Sequence, residues 1–279
     1  MTKERSAPSR RTRNARDRWI PVLASVVSTG VVFGLAAWWI TGSEFWPAVQ
    51  RQFFSGEAIR ESFPAVLRGF WLNVRVWVIA EIFILGLSLV LALMRSFTGP
   101  IAAPFRFFAI AYIDLLRGIP ALLLILLLGF GVPALQLPGL PRGALFWGTV
   151  AMILGYSAYT AEVYRSGMEA VHDGQRAAAR ALGLSQWQTM RYAIVPQAVR
   201  NVLPALLNGA VSLQKDVALL SVIGVREAVR EAQIYTARTF NYSSLIAAAV
   251  LFLIASVPLA RLTDRYARRD QERRLQRTL

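Results

Sequence analysis

The sequence predicts an all-α protein, a bundle of about six membrane-spanning helices, and two observations predict it. Hydrophobic residues make up 55% of the 279 residues and charged residues only 17%, against roughly 45–50% and 25% in an average soluble domain. The apolar residues also form long blocks, each close to the ~20 residues that a helix needs to cross a ~30 Å hydrocarbon core. Because lipid offers no partners to backbone N–H and C=O groups, such blocks are expected to be helical. A soluble enzyme with one compact core is therefore excluded.

The blocks divide the chain into three predicted domains. These are a basic cytoplasmic tail at 1–19, a transmembrane domain at 20–262 and a second basic cytoplasmic tail at 263–279. Six spans are predicted in the transmembrane domain, at 20–40, 69–94, 119–135, 145–164, 197–212 and 244–261. Apolar residues continue from 217 to 225, beyond the polar run Gln214–Lys215–Asp216. A broken helix that returns toward the core is one interpretation of that region.

The first block follows the pair Arg10–Arg11, a feature shared with twin-arginine targeting signals. The block ends in Trp38–Trp39, bulky aromatic residues where a cleavage site needs small ones. We therefore predict an uncleaved first span with its tryptophans at the membrane interface. Gly30 and Gly34 have the spacing of a close helix contact, which also arises by chance.

The distribution of basic residues predicts the orientation of the spans. The chain has 31 Lys and Arg residues and a net charge of +15, a balance that is also typical of nucleic-acid-binding proteins. Here the basic residues lie beside apolar blocks. With both termini in the cytoplasm, 22 of them fall on the cytoplasmic side and 7 outside, as the positive-inside rule requires. We therefore expect membrane lipid, and no nucleic acid, as a partner.

The residue types needed for catalysis or metal binding are scarce. The chain has no cysteine and a single histidine, His172, which argues against a thiolate metal site and a catalytic triad. No G-x-x-x-x-G-K-[ST] phosphate-binding loop occurs in the sequence. We predict no catalytic residue, no metal and no cofactor bound by this chain, and expect His172 to shape the start of a loop.

The connection between the fourth and fifth spans, 165–196, is predicted to fold as two short helices. The run GQRAAARALGL is rich in helix formers and contains Gly183, a residue suited to a left-handed helix end. Ser185 and Gln188 form a capping-box pattern that begins a second helix, and Pro196 is expected to begin the next span.

The bend between these two helices is predicted to present apolar side chains to water. The exposed residues would be Leu182, Leu184 and Trp187, surrounded by Arg176, Arg180 and Arg191. Apolar side chains rimmed by charge are typical of a surface that inserts into a partner's groove. An amphipathic helix lying on lipid headgroups is the alternative, and composition does not decide between the two.

Three segments of the sequence resemble permease subunits of ABC importers, in detail the polar amino-acid branch. The longest is AEVYRSGMEAVHDGQRAAARALGLSQWQTMRYAIVPQAVRNVLPALLNG at 161–209, which resembles the EAA segment of that family. YIDLLRGIP at 112–120 and KDVALLSVIGV at 215–225 follow the expected order. The resemblance implies a type I ABC-importer permease fold with a cytoplasmic coupling helix. It also implies a non-catalytic subunit of the bacterial cytoplasmic membrane that forms the pathway for polar amino acids.

The resemblance implies several partners. They are two copies of a cytoplasmic ATP-binding subunit that uses ATP and Mg, a second permease subunit that is identical or related, and an extracytoplasmic substrate-binding protein. In that family the loop at 165–196 seats its coupling helix in a cleft of the ATPase, which favours partner docking over the lipid alternative. The coupling residues it implies here are Gly174, Ala177, Ala178, Ala179, Leu182, Gly183 and Leu184.

The sequence departs from the family pattern at two places. Ala177–Ala178–Ala179 stand where the family usually has Glu-Ala-Ala, so a carboxylate that could pair with the ATPase is missing. Because a surface ion pair contributes only about 0–1 kcal/mol, apolar docking could suffice. Val217–Ala218 stand where the family usually has Thr-Ser, which removes two hydroxyl groups near the expected pathway.

Polar residues within or beside apolar blocks are the candidates for that pathway. A charge at the bilayer centre costs about 2.5–3.5 kcal/mol, so it usually faces a cavity or a partner. The candidates are Arg75, Glu81, Asn208, Gln214, Lys215 and Asp216. An amino acid needs a cation for its carboxylate and an acceptor for its ammonium group, but pairing between helices would use the same residue types. Glu162 and Arg165, three positions apart, are expected to pair on one helical face.

Two other classes of function remain as alternatives. A stand-alone secondary transporter or channel would show inverted repeats or a chain of membrane carboxylates. The sequence has no convincing repeat and only three carboxylates within or directly beside its apolar blocks, Glu81, Glu162 and Asp216. A membrane scaffold without transport activity is the second alternative.

Overall fold

A computed structural model describes the backbone of residues 15–97 and 99–276 and the side chains of 22–97 and 99–269. Helices are the regular elements of these residues, and no strand occurs among them. The predicted all-α class is therefore confirmed. Most of the predicted basic tail at 1–19 lies outside the described residues, as do the last three residues of the tail at 263–279.

Ten helices follow one another along the described chain. They are α1 (Ala15–Thr41), α2 (Trp46–Phe53), α3 (Gly56–Ser96), α4 (Ala103–Gly118), α5 (Ala121–Ala134), α6 (Ala144–Glu169), α7 (Asp173–Ala181), α8 (Gln186–Ile223), α9 (Ala228–Thr239) and α10 (Ser243–Gln276). Among them five helical segments are long and apolar enough to cross a membrane, or six if α4 and α5 form one bent span. This agrees with the predicted number of about six.

The chain forms two compact units, Met1–Gln52 and Phe53–Leu279. In the first unit, α1 is 27 residues long and its described side chains are exposed. A Cβ added at Gly30 or Gly34 would meet no atom within 4 Å. The close helix contact considered for these two glycines therefore stays a prediction.

The second unit is organised around α3. This helix of 41 residues begins with Ser55, whose side chain accepts a hydrogen bond from the Ala58 N–H at 3.3 Å. Its buried residues recur every three or four positions, the spacing of one helical face: Val66, Gly69, Asn73, Val76, Ala80, Ile84, Ser88 and Leu91. It packs most extensively against α6 and also contacts α4, α8, α9 and α10. The helix thus serves as the common support of the bundle.

The segment before the predicted third span is helical, which the sequence did not indicate. In α4, Ala109 and Ile113 are fully buried against Leu91 of α3 and Ala161 of α6. Three basic residues and one carboxylate between 95 and 118 lower the hydropathy of this segment below that of a span. Burial of one helical face compensates for them.

α4 and α5 meet at an angle of 101°. Pro120 disfavours helical backbone at the residue before it, and Ile119 is accordingly extended, with φ −94° and ψ 128°. The predicted span at 119–135 is therefore the second arm of a bent pair. A π-helical turn at Leu127–Gly131 interrupts this arm.

The predicted fifth span, 197–212, is part of the 38-residue helix α8. The expected break near 214–216 is absent: the helix tightens into a 3-10 segment at Val217–Ile223, which ends at Gly224 with φ +80°. A Cβ added at Gly129 or Gly148 would approach the Ile223 Cδ1 to 2.7 and 2.6 Å. The two glycines thus allow this segment to pack closely against α5 and α6.

The last helix, α10, also extends beyond its predicted boundary. It runs for 34 residues to Gln276, so the tail predicted at 263–279 is helical as far as it is described. Alanine, arginine, glutamine and glutamate in this stretch are good helix formers. They continue the helix after the apolar residues end.

Candidate functional site

Residues 172–194, called the bent element below, lie between α6 and the spanning part of α8. His172 precedes α7, and its Nδ1 accepts a hydrogen bond from the Gly174 N–H at 3.0 Å. This acceptor requires the imidazole tautomer with its proton on Nε2. The single histidine thus caps α7, which agrees with its expected role at the start of the loop.

The bend itself is a Schellman motif. Gly183 has φ +78°, and its N–H donates to the Arg180 carbonyl at 2.9 Å. The Leu184 N–H donates to the Ala179 carbonyl at 3.2 Å. These two bonds satisfy carbonyl groups at the end of α7 and require a left-handed residue, for which glycine has no steric cost. The predicted bend at Gly183 is confirmed.

The second half of the bent element begins with the predicted capping box. The Ser185 Oγ accepts from the Gln188 N–H at 3.3 Å, and the Gln188 Oε1 accepts from the Ser185 N–H at 2.9 Å. The expectation that Pro196 begins the next span is confirmed for the α-helical spanning part, which starts at Val195 with the proline in its first turn, although the continuous helix α8 already begins at Gln186. A π-helical turn at Thr189–Ile194 comes just before the proline and leads the helix into its spanning part.

The predicted coupling residues divide into exposed and buried ones. Gly174, Ala177, Ala178 and Gly183 are exposed, Leu182 is 81% exposed, Leu184 is half-buried and Ala179 is buried. Ala179 therefore holds α7 against its neighbours and offers no contact surface. The most prominent apolar group of the bend is Leu182, flanked by the half-exposed Trp187.

The arginines predicted around the bend have different surroundings. Arg180 and Arg191 are exposed, as expected. Arg176 is not part of the exposed rim, because its Nη2 donates to the Met168 carbonyl at 2.7 Å. Met168 lies in the last turn of α6, where carbonyl groups have no partner within the helix. Arg176 thus fastens α7 to the end of α6.

A set of ion pairs connects the same end of α6 to α3. The Arg165 Nε donates to the Glu162 Oε2 at 2.9 Å, so the expected pair is confirmed. Arg95 from the end of α3 pairs with the other oxygen of Glu162, and Glu169 pairs with Arg165. The sequence did not single out Arg95, because ion-pair partners on different helices have no characteristic spacing along the chain.

A cavity of 340 Å³ lies where α4 and α5 meet, beside α6 and α8. Its lining is Leu116, Ile119, Ala121, Leu124, Ile125, Ala151, Met152, Gly155, Tyr156, Tyr159, Asp216 and Leu219. Asp216 is the only carboxylate in this lining, and it accepts a hydrogen bond from the Tyr156 hydroxyl. Glu81, which is half-buried, interacts electrostatically with the same tyrosine. The arrangement presents an acceptor for a positively charged group in mostly apolar surroundings.

The other pathway candidates lie elsewhere. Gln214 is buried and its Oε1 accepts from the Ser256 hydroxyl of α10, which is a contact between helices. Asn208 and Lys215 are exposed and do not line the cavity. Arg75 lines a separate, almost entirely apolar cleft of 580 Å³ between α3 and α6. Of the six candidates, Asp216 therefore lines the cavity, and Glu81 is connected to it only through Tyr156.

Comparison with known proteins gives the family. Residues 85–270 match the family described as "Binding-protein-dependent transport system inner membrane component". The chain belongs to this family. It is similar to the arginine transport system permease protein ArtQ of Bacillus subtilis, with 33% identity over 68% of this chain and 85% of that one. It is also similar to the glutamine transport system permease protein GlnP of Escherichia coli K12, with 32% identity over 77% and 97%.

Solved structures agree with this assignment. A crystal structure of an amino acid ABC transporter with histidines superimposes with a TM-score of 0.68 and 31% identity, over 77% of this chain and 98% of that one. An inward-facing structure of the MetNI methionine ABC transporter has a TM-score of 0.63 at 18% identity and shows the fold alone. The resemblance to ABC-importer permeases is thus confirmed. The chain is a multi-pass permease, the transport subunit of an ABC importer whose family implies an ATP-binding partner and a substrate-binding protein.

The site of this permease contains residues that sequence analysis did not select. Tyr156 and Tyr159 are hydroxyl-bearing aromatic residues three positions apart in an apolar block, and this pattern could have marked them as candidates for the pathway. The Tyr159 hydroxyl donates to the Arg117 carbonyl at 3.2 Å, and the Arg117 guanidinium lies 5.7 Å from the centre of its ring. Of the two positions without the usual family hydroxyl, Val217 is fully buried in the core. It is not among the residues that line the cavity.

Elsewhere in the permease, two buried polar side chains join α9 to α3. The Asn73 Nδ2 donates to the Glu227 Oε2 at 2.9 Å, and the Asn73 Oδ1 accepts from the Ala228 N–H at 3.1 Å. Burial raises the pKa of the Glu227 carboxyl, while hydrogen bonds from Asn73, Val229 and Arg230 oppose that rise. The sequence did not single out this pair, which we call the Asn73–Glu227 clamp.

No group of three His, Asp or Glu side chains that could hold a metal occurs among residues 22–97 and 99–269, whose side chains the structure describes. The expectation of no metal and no cofactor in the permease remains a prediction.

Proposed function

We propose that this permease forms the pathway for polar amino acids in an ATP-driven importer, with Asp216 as the acceptor for a positively charged group of the substrate. The named relatives transport arginine and glutamine, and every amino acid carries an ammonium group. The observation that carries the proposal is the paired Asp216 and Tyr156 in an otherwise apolar cavity of 340 Å³. A carboxylate in such surroundings binds an ammonium or guanidinium group by a charge-assisted hydrogen bond.

The proposed orientation places both termini and the bent element in the cytoplasm. The excess of basic residues on that side supports it. In the complete importer, two copies of an ATP-binding subunit would contact two permease subunits, identical or related, and a substrate-binding protein would deliver the amino acid from outside. The permease itself would hydrolyse nothing, since ATP and Mg would be bound by the partner.

The bent element is the proposed contact with the ATP-binding subunit. Leu182 is 81% exposed at its tip, and exposed alanines beside it allow close approach. Burial of one leucine side chain contributes about 1.5–3 kcal/mol, more than the 0–1 kcal/mol typical of the surface ion pair that the missing family glutamate would provide. Movement of the bent element would reach α6 through Arg176 and α3 through Arg95, and a rigid-body shift of these helices would alternate access to the cavity.

Asp216→Asn tests the pathway assignment. We expect a tenfold or greater rise in the KM for uptake, because hydrogen bonds to charged groups contribute about 1.5–3 kcal/mol. The measurement is uptake of radiolabelled arginine and glutamine by proteoliposomes that contain the permease with its ATP-binding and substrate-binding partners.

Asp264→Asn is the matched control, since it removes an exposed carboxylate from the extension of α10. It is expected to transport like the unmodified protein. Wild-type uptake by Asp216→Asn would contradict the proposal. Uptake without ATP that follows an ion gradient would instead favour a secondary transporter.

A further inference from the structure

Three adjacent cavities border the bent element, and the transport proposal uses none of them. The first, of 300 Å³, is lined by Arg95, Ser96, Arg165, Met168, Glu169 and Arg176. The second, of 30 Å³, is lined by Ser96, Arg176, Arg180, Gln186, Thr189 and Met190. The third, of 350 Å³, is lined by Phe97, Gly99, Pro100, Ile101, Ala102, Phe105 and Gln186. Each shares lining residues with the next, so they form a continuous row, called the cavity row below.

Positive charge is in excess at the polar end of the cavity row. Four guanidinium groups meet three carboxylates there: Arg95, Arg165, Arg176 and Arg180 against Glu162, Glu169 and Asp173. Arg180 forms no ion pair with any other residue in the described part of the chain. The Arg176 Nε lies 3.9 Å from an oxygen of the fully exposed Asp173, a loose contact. One negative charge would balance this region.

A buried hydroxyl group independently indicates a missing ligand in the second cavity. Thr189 is 5% exposed, and its Oγ1 has no hydrogen-bond partner among the residues whose side chains are described. Buried polar groups without partners are rare in native proteins, and each one calls for a bound water, ion or ligand. Thr189 is also the first residue of the π-helical turn in α8. A ligand here would contact the joint between the two halves of the bent element.

The apolar end of the cavity row indicates that the ligand has an apolar part in addition to its negative charge. Ile101 is 89% exposed and Phe105 is 59% exposed, and both line the third cavity. The Phe97 and Trp187 rings are 6.1 Å apart beside it, as is common for aromatic residues at a membrane interface. A free phosphate would leave this cleft uncovered, whereas an amphiphile would fill both ends.

We propose that the cavity row binds an anionic phospholipid of the cytoplasmic leaflet. Its phosphate group lies between Arg176, Arg180 and the Thr189 hydroxyl, and the start of an acyl chain covers Ile101 and Phe105. This proposal rests on the proposed function, because it needs the bent element to lie on the cytoplasmic side of the membrane. Since it bridges the ends of α3, α7 and α8, the lipid would hold the bent element against the bundle.

Native mass spectrometry of the full-length chain in mild detergent tests this site. The probes are phosphatidylglycerol, phosphatidylcholine with the same acyl chains, and inorganic phosphate. We expect the chain to bind phosphatidylglycerol at least fivefold more tightly than phosphatidylcholine, because choline adds a positive charge beside the arginines. Arg180→Gln is expected to raise the Kd for phosphatidylglycerol at least fivefold, and Thr189→Val severalfold. Arg265→Gln, which removes an exposed arginine outside the cavity row, is expected to leave it unchanged.

The apolar end has its own variant. Ile101→Ser is expected to weaken binding of long-chain phosphatidylglycerol severalfold and to leave a short-chain form unaffected. Equal Kd values for Arg180→Gln and Arg265→Gln, or equal binding of the two lipids, would overturn the proposal. Competition by inorganic phosphate at equal affinity would mean a simple anion site and would also overturn it. The assay needs neither ATP nor amino acid, so its failure is distinct from a failure of the proposed transport function.

Discussion

At the scale of single residues, the Asn73–Glu227 clamp shows how polar side chains position helices inside an apolar bundle. Asn73 and Glu227 are 1% and 0% exposed, and each satisfies the other as well as backbone groups of α9. A Cβ added at Gly69 would come within 2.5 Å of the Glu227 carbonyl carbon. The clamp therefore combines close backbone approach with complete hydrogen bonding, which explains why α9 lies directly against α3.

Asn73→Leu is expected to lower the stability of the permease. The change leaves the buried Ala228 N–H without its partner, at a cost of about 1–3 kcal/mol, and removes one of the three groups that donate hydrogen bonds to the Glu227 carboxyl. Thermal unfolding in detergent should therefore occur several degrees lower than in the unmodified protein. Asn208→Leu is the control, since it replaces an exposed asparagine of α8. The double variant Asn73→Leu/Glu227→Leu should cost less than the sum of its single changes. Equal midpoints for Asn73→Leu and Asn208→Leu would contradict this account.

The sequence identified some of these residues and not their partners. Asp216 stood out as a charge beside an apolar block, but Tyr156 lies 60 positions away and only the packing of α6 against α8 brings them together. Arg176 was expected on an exposed rim, because composition does not show that its guanidinium reaches back to Met168. Local motifs such as the Gly183 bend were predictable, since their hydrogen bonds join neighbours in the chain.

At the scale of elements, the shape of the bent element is fixed by local hydrogen bonds and by packing. Capping by His172, the Schellman bend and the capping box fix its shape locally, and a buried cluster that includes Val171, Met190 and Ile194 fixes it to α6 and α8. A side chain at its tip can therefore pass a displacement to two spanning helices.

Leu182→Asp and Gly183→Val should separate ATP hydrolysis from uptake. The first replaces the apolar tip with a charge, and the second forces a β-branched residue into φ +78°, a conformation that glycine alone adopts without strain. In the assembled importer, ATP hydrolysis should persist while amino-acid uptake falls at least tenfold. Leu182→Met keeps an apolar tip and should retain uptake. Unchanged uptake in both Leu182→Asp and Gly183→Val would refute the coupling role.

Helix boundaries were less predictable than helix identity. The apolar blocks located five spanning helices and one arm of the bent pair. The spans predicted for α3, α8 and α10 were too short, because the polar ends of these helices extend beyond the apolar blocks. Hydropathy missed α4, whose arginines are tolerated because only one face is buried. Gly118 and Pro120 in the run RGIP are a sequence signal for the 101° bend between α4 and α5. Which of these two helices spans the membrane depends on packing between helices, which the sequence does not show.

At the scale of the whole molecule, α3 and α6 connect the Asn73–Glu227 clamp, the cavity and the bent element. Along α3, Asn73 and Glu81 lie in the interior of the helix and Arg95 lies in its last turn. α6 carries Tyr156 at the cavity and Met168 at the bent element. One pair of helices thus contacts every proposed site, which is the arrangement that alternating access by rigid helices requires.

Labelling of single cysteines tests the central claim most directly, namely that the bent element faces the cytoplasm and its ATP-binding partner. The chain has no cysteine of its own, so Leu182→Cys and Leu140→Cys each create a unique target at an exposed position. With a membrane-impermeant maleimide on intact cells, only Leu140→Cys should be labelled, and Leu182→Cys should react after permeabilisation. Labelling of Leu182→Cys in intact cells would contradict the account.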